Sequence, residues 1–333
     1  MESELNSNRL LEIKGLTTQF NQKIGTSLMA VDGIDLSVKS GEIHGIVGES
    51  GSGKTVAALS VLRLVPFPGK VTAEGIYWNG VDLLSLSGKE IRKIRGANIT
   101  MIFQNPEQSL NPLYTVGQQI ADVIKLHNKG ITKNKTREDT VKLLKEVKIP
   151  EPEKRMNDYP HQLSGGMCQR VMIAMALACK PKLLIADEPT AALDVTIQSQ
   201  ILDLLLDIRE KYNMSMLFIS HDLGVVAKVC DRVSVMYLGK ILESADVETI
   251  YNEPAHPYTK ALLEAVPLPV PGNKTRMEGI KGDVPSLGEI GSGCRFQNRC
   301  PSAFEKCSEL PPMMPWNGGS VACWLYNKGK GKE

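Results

Sequence analysis

The sequence predicts an α/β fold: a mostly parallel sheet with helices on its faces, joined by an antiparallel β lobe, an α-helical subdomain and a small, irregular C-terminal domain rich in cysteine. Three observations carry that expectation. Apolar runs of strand length alternate with segments of helical period between residues 43 and 237, the order a parallel sheet needs because each crossover uses a helix. One of these runs stops at a glycine-rich loop that opens a helix. After Tyr251 the periodicity ceases, prolines interrupt the chain, and Cys294, Cys300, Cys307 and Cys323 crowd together.

Taken in order, residues 10–20 read as a strand, and Ile34, Leu36 and Val38 alternate with polar residues at the strand period. Residues 43–47 form a short, mostly apolar run, and residues 55–64 have helical character. Asn79-Gly80, inside residues 75–84, is a hairpin signal and places an antiparallel lobe early in the chain. Residues 99–103 read as a strand, and residues 115–149 turn helical with a polar break over 128–138. Gly165-Gly166 opens a helix that ends near Lys180-Pro181. Residues 183–186 form a buried strand ending in acid, followed by an amphipathic helix over 196–211 and strands over 215–220 and 231–237. Pro267, Pro269 and Pro271 mark a linker over 267–273.

At 333 residues the chain is longer than a single core usually sustains, so one large domain with an appendage is expected. Lys and Arg total 39 against 37 Asp and Glu, a net charge of +2 that gives no reason to expect nucleic acid. The basic residues at 328–332 read as a solvated end. No apolar run reaches the roughly 18 residues a membrane helix requires, and residues 1–8 lack the basic and apolar regions of a signal peptide. A cytosolic protein is predicted.

Gly48-Glu49-Ser50-Gly51-Ser52-Gly53-Lys54-Thr55 fits the phosphate-binding loop pattern, after a strand and before a helix. It predicts a P-loop NTPase core that binds ATP with Mg²⁺. Backbone N–H groups of Ser50, Gly51, Ser52 and Gly53 would curl around the β-phosphate at a positive helix end. Lys54 would reach the β- and γ-phosphates, and the Thr55 hydroxyl would ligate Mg²⁺. Leu183-Leu184-Ile185-Ala186-Asp187-Glu188 is the companion segment: Asp187 is placed to hold Mg²⁺ through water and Glu188 to polarise the attacking water. Leu163-Ser164-Gly165-Gly166-Met167-Cys168-Gln169-Arg170 puts two glycines after a serine at a helix start, a second anion site in one chain.

That last segment resembles the signature motif of the ABC ATPases. The resemblance implies that Ser164 and Gly166 touch a γ-phosphate held by the partner subunit's Lys54. Other positions fall in the family's order. Gln104 resembles the glutamine that senses Mg²⁺ and water, Asp194 the loop that crosses the dimer interface, and His221 the switch histidine at the γ-phosphate. Phe20 stands where the family stacks an aromatic on adenine. The resemblance assigns residues 9–265 to the nucleotide-binding domain, with a helical subdomain over about 105–180, and residues 266–333 to a C-terminal domain. The soluble relatives that act on DNA or ribosomes carry paired cores, zinc modules or coiled-coil insertions, which are not seen here.

Pro254-Ala255-His256-Pro257-Tyr258-Thr259, Gly282-Asp283-Val284-Pro285, Gly293-Cys294-Arg295-Phe296 and Arg299-Cys300-Pro301 resemble the ATPase subunits of dipeptide, oligopeptide and nickel importers. The expected partners are a homologous or identical ATPase subunit, two transmembrane permease subunits docking between Gln104 and Ser164, and, indirectly, an extracytoplasmic solute-binding protein. The subunit would sit peripherally on the cytoplasmic face of the membrane. The spacing C-x5-C-x6-C-x15-C lacks the tight knuckles of structural zinc. Four thiolates also suit an iron–sulfur cluster, and free or disulfide-bonded thiols are the further alternative. The resemblance favours a [4Fe–4S] cluster on Cys294, Cys300, Cys307 and Cys323, with Zn²⁺ second. Cys168, Cys179 and Cys230 read as ordinary buried thiols.

Overall fold

The computed structural model describes residues 8–21, 27–191, 193–265, 280, 282–286, 288 and 290–327. The linker expected over 267–273, the basic tail and nearly all of the acidic N-terminus lie outside them. The chain divides into two compact units, Met1–Leu84 with Phe218–Glu333, and Ser85–Leu217.

In the first unit, strand Arg9–Asn21 runs antiparallel to Ser27–Lys39, with Leu11 opposite Val38 and Ile13 opposite Leu36. All four of these side chains are buried. The same strand takes Gly75–Trp78 and Gly69–Thr72 along its length, also antiparallel. Asn79 and Gly80 have φ of 47° and 80°, the left-handed pair that turns a strand tightly back on itself. Gly75–Trp78 therefore returns as Val81–Asp82, and the expected antiparallel lobe is present.

The core sheet of this unit starts from Ile43–Val47, buried throughout and parallel to Arg232–Tyr237, with Val47 opposite Val235. Burial on both faces is what a mostly apolar run specifies, and its one polar side chain, His44, is buried as well. Arg232–Tyr237 continues antiparallel into Lys240–Asp246, which pairs in turn with Gly319–Val321, and Met314–Trp316 pairs outside that. The C-terminal chain thus extends the sheet. Phe296 is 1% exposed, with ring centroids 5.5 Å from Tyr237 and 5.2 Å from Tyr258. Val321 and Cys323 join Ala255 in a cluster covered by Trp316 and Tyr326. The separate cysteine-rich domain expected from the sequence is therefore not what forms. Sixty-odd residues with little apolar periodicity cannot close a core alone, and these strands and rings use the core already built.

Two histidines in this unit are buried and held neutral. His44 Nδ1 lies 2.9 Å from the Ser37 carbonyl and Nε2 2.8 Å from Ser234 Oγ. Burial and the nearby charge of Arg232 lower its pKa to about 3. His256 caps helix Pro257–Glu264, its Nδ1 accepting from the Tyr258 N–H at 3.0 Å, and burial lowers it to about 3 as well. In the unfolded chain both groups titrate at 6.5. Their folded pKa values are depressed, so the stability they contribute is complete above pH 6.5 and is lost as pH falls towards 3. Urea unfolding at stepped pH should show a loss approaching ~1.4 kcal/mol per pH unit for each imidazole below that point. His256→Asn, which keeps a capping side chain, should remove about half of the slope. An unchanged slope would rule out His256 as a buried neutral group.

The second unit pairs Ile99–Ile102 in parallel with Leu183–Asp187, Ile102 opposite Ala186. Helix Val116–His127 starts at a capping box, with the Thr115 side chain accepting from the Gln118 N–H and the Gln118 side chain accepting from Thr115 N–H. The polar break is shorter than expected. Thr132 caps a new helix, Lys133–Glu146, whose early turns are polar on nearly every side. It buries Thr136 and Thr140 by giving each hydroxyl the carbonyl four residues back, at 3.0 and 2.8 Å, so polarity there reflects a helix with a narrow buried face. Helix Gly165–Leu177 buries nearly all of its last ten residues. Arg170 ties it down by donating to the Val147 carbonyl at 2.9 Å and to Gln200 Oε1 at 3.0 Å. The two units together supply a P-loop NTPase core with a mixed-sheet lobe and a helical subdomain. No helix among the described residues is long and apolar enough to cross a membrane.

Candidate active site

In the first unit the glycine-rich loop leads from Ile43–Val47 into helix Lys54–Val61. Two glycines are required by close approach. A Cβ on Gly48 would stand 2.0 Å from the Met236 carbonyl oxygen, and one on Gly53 would stand 2.2 Å from that of Ala30. Gly53 is the N-cap with φ of 104° and makes no side-chain cap. The first N–H groups of the helix therefore have no capping side chain from that position, the condition under which an anion is drawn to a helix start. Lys54 is 5% exposed. Its Nζ donates to the carbonyls of Gly48 (2.7 Å) and Glu49 (2.9 Å) and to Ser52 Oγ (3.3 Å). The ammonium is thus held inside the curl of the loop. Ser50, in the loop, and Thr55, in the first turn of the helix, are exposed, whereas Ser52 is buried.

Phe20 lies near the end of strand Arg9–Asn21, opposite Leu28 and Gly69, with its ring edge against Gly69. It is half-buried. His221 follows strand Ser215–Ser220 and is exposed, just before helix Leu223–Val229, where the Asp222 carboxylate accepts from the Val225 N–H at 3.3 Å.

In the second unit Asp187 ends its strand 2% exposed. Glu188 follows with φ of 45°, a left-handed conformation that costs a non-glycine residue on the order of 1 kcal/mol or more and tends to persist at working sites. Gln104 comes two residues after strand Ile99–Ile102 and donates from Nε2 to Glu188 Oε2 at 2.8 Å. The structure therefore joins two residues that are 84 apart in sequence. Ser164 is exposed and caps helix Gly165–Leu177, Oγ accepting from the Met167 N–H at 3.4 Å. Asp194 caps helix Val195–Tyr212 by accepting from the Ile197 N–H at 3.0 Å. These helix starts are neighbours: a Cβ on Gly165 would meet Leu193 at 3.9 Å, and one on Gly166 would meet Ile197 at 2.8 Å.

The cysteine expectation is overturned. Among the described residues no group of three or more His, Cys, Asp or Glu side chains is arranged to hold a metal ion, and neither the [4Fe–4S] cluster nor the Zn²⁺ alternative stands. Cys294, Cys300, Cys307 and Cys323 are free thiols. They serve packing. Burial pushes Cys294 up to about 11 and raises Cys300 and Cys323. The Cys294 N–H donates to the Cys307 carbonyl at 2.9 Å, so backbone hydrogen bonding binds these turns. Burial likewise raises Cys168, Cys179 and Cys230.

Some residues at the loop had no individual role in the sequence reading. The Tyr258 hydroxyl accepts from the Glu49 N–H at 2.9 Å, and Arg299 forks onto the Glu49 carboxylate at 2.7 and 3.1 Å. The signal was available: an acid inside an anion-binding loop calls for a counter-charge.

A phosphate-type loop braced by a buried lysine, an acid-ended strand with its glutamine, and a serine–glycine helix start define the class, an ATP-binding cassette ATPase. Family models agree: "ABC transporter" matches residues 31–191, and "Oligopeptide/dipeptide transporter, C-terminal region" matches residues 242–307. Dipeptide transport ATP-binding protein DppD of Haemophilus influenzae is 50% identical over 92% of this chain and 92% of its own. A probable peptide ABC transporter ATP-binding protein of Sinorhizobium fredii is 47% identical over 98% of both. A solved ATP-binding cassette dimer, in a post-hydrolysis state with ADP and Pi, superposes with a TM-score of 0.64 at 28% identity, over 71% of this chain and 98% of that one. The chain belongs to the ATP-binding subunits of ABC transporters, in the dipeptide and oligopeptide importer family. It is an ATP-hydrolysing enzyme.

Proposed function

We propose that this subunit hydrolyses ATP in a two-subunit sandwich to drive uptake of dipeptides or oligopeptides through separate membrane permeases. The observation that carries the sandwich is the exposed Ser164 before Gly165-Gly166, a second helix start whose cap engages only the Met167 N–H, in a chain that already has an anion-type site at Gly53 and Lys54. The peptide substrate rests on the relatives, whose names describe dipeptide and oligopeptide transport. Residues 9–265 are assigned to nucleotide and permease-coupling work, with the docking surface for the permeases between Gln104 and Ser164. A peripheral position on the cytoplasmic face of the membrane follows from that docking.

In this reading the N–H groups of Ser50, Gly51, Ser52 and Gly53 and the Lys54 ammonium take the β- and γ-phosphates, while Phe20 stacks on adenine. Thr55, Gln104 and Asp187 offer hydroxyl, amide and carboxylate oxygens, the hard donors that suit Mg²⁺. When bound, that ion neutralises charge on the phosphates. Gln104 orients Glu188, whose carboxylate accepts a proton from the attacking water, and His221 steadies the γ-phosphate. Ser164, Gly165 and Gly166 of the second subunit cap the same phosphate, and Asp194 lies along the junction. Loss of the γ-phosphate removes the group both subunits hold, and the sandwich opens.

Ser164→Phe tests the arrangement, because a large ring at an exposed helix start obstructs a facing nucleotide without disturbing the subunit's own loop. The variant should bind ATP as the natural chain does, form no ATP-dependent dimer, and lose at least about 95% of its ATPase activity. Full dimerisation and turnover in size-exclusion and phosphate-release assays would refute the sandwich. Reconstitution with its permeases and labelled dipeptides tests the substrate.

A further inference from the structure

The phosphate-binding loop carries an acid, Glu49, immediately before the residues expected to receive a polyanion. A carboxylate there would repel phosphate unless another charge cancelled it. The cancelling charge comes from far along the chain. Arg299 Nη1 and Nη2 donate to the two carboxylate oxygens of Glu49 at 2.7 and 3.1 Å, a forked ion pair. The guanidinium is 5% exposed and the carboxylate 25%, so the pair is poorly screened by solvent.

Arg299 is itself held in place. It donates to the Tyr237 hydroxyl at 3.2 Å and to the Ile280 carbonyl at 3.4 Å. Its guanidinium carbon lies 5.8 Å from the Tyr237 ring centre and 6.0 Å from that of Phe296. Glu49 is gripped through its backbone as well, the N–H by Tyr258 Oη and the carbonyl by Lys54 Nζ. The loop is therefore coupled to the C-terminal segment through one charge pair.

We propose that Arg299 is a positioning residue for nucleotide binding, which neutralises Glu49 and draws it off the phosphate path, so that the C-terminal segment sets the loop's affinity for ATP. The proposal rests on the reading that ATP binds at Lys54. A structural brace alone would not depend on whether residue 49 is charged; charge cancellation does.

The test is calorimetric binding of MgATP, MgADP and adenosine to the full chain and to Arg299→Gln, Arg299→Lys, Glu49→Gln and the Glu49→Gln/Arg299→Gln double variant, each checked by circular dichroism. Arg299→Gln should bind MgATP about tenfold more weakly or worse, MgADP less affected and adenosine unaffected, as one uncompensated charge at a half-buried site predicts. Arg299→Lys should stay within about threefold of the natural chain, since it keeps the charge and loses only the fork. Glu49→Gln should bind MgATP about two- to fivefold more tightly, and the double variant should recover most of the affinity that Arg299→Gln loses. Natural affinity in Arg299→Gln, or a double variant as weak as it, would overturn the proposal. Should Arg299→Gln fail to fold, weaker MgATP binding by Glu49→Gln overturns it instead. Lys54→Ala separates the two readings: undiminished MgATP binding there removes the nucleotide from this loop, whatever Arg299 does.

Discussion

Glu188→Gln should keep ATP and its ATP-dependent dimer while turning over at less than about one hundredth of the natural rate, the usual contribution of a positioned general base. The exchange keeps size and the capacity to meet Gln104, whose Nε2 now donates to Glu188 Oε2 at 2.8 Å. What disappears is the oxygen basic enough to take a proton from water. The backbone at this position is left-handed, with φ of 45°, so the side chain is aimed by the main chain as well as by its hydrogen bond, and the amide will point where the acid did. Phosphate release with excess MgATP measures the turnover, and size-exclusion elution with ATP measures the dimer. A rate within threefold of the natural chain removes Glu188 from the chemistry. A variant that no longer dimerises would show instead that the carboxylate matters to assembly.

Lys54→Ala should lose about a hundredfold or more in ATP affinity, corresponding to about 3 kcal/mol for a buried charge-assisted contact. The size follows from a double role. Lys54 is 5% exposed, and its ammonium bridges the Gly48 and Glu49 carbonyls and Ser52 Oγ. Alanine removes both the cation that meets phosphate and the brace that keeps the loop curled. Equilibrium binding of MgATP is the measurement, with circular dichroism to show that the fold persists. Affinity within threefold of the natural chain would move the nucleotide elsewhere.

What could be read from the residues follows local physics. The phosphate loop, the strand ending in Asp187 and the Ser164 helix start were visible because each packs its requirement into fewer than ten neighbouring residues. The Asn79-Gly80 turn was legible for the same reason. Helix Lys133–Glu146 was partly lost, since threonines that satisfy their own hydroxyls inside the helix look polar in sequence. Strand Lys240–Asp246 and the pair Met314–Trp316 and Gly319–Val321 were missed: the last two have three residues each, too few for a period, and form only because an existing sheet offers a row of amides. The four cysteines misled. Clustering in sequence resembles a ligand set, yet Cys323 lies in an apolar cluster with Ala255 and Val321, a use that spacing does not reveal. The pairing of Glu49 with Arg299, across 250 positions, needed the fold.

The outermost strand of the first unit's core sheet, Met314–Trp316, is three residues long and has proline at its centre. A strand so short, with one amide hydrogen missing, offers a poor template to another chain. Without it and Gly319–Val321, the seven-residue strand Lys240–Asp246 would present open amides and carbonyls along its flank. The C-terminal strands thus cover a flank that another chain could otherwise pair with.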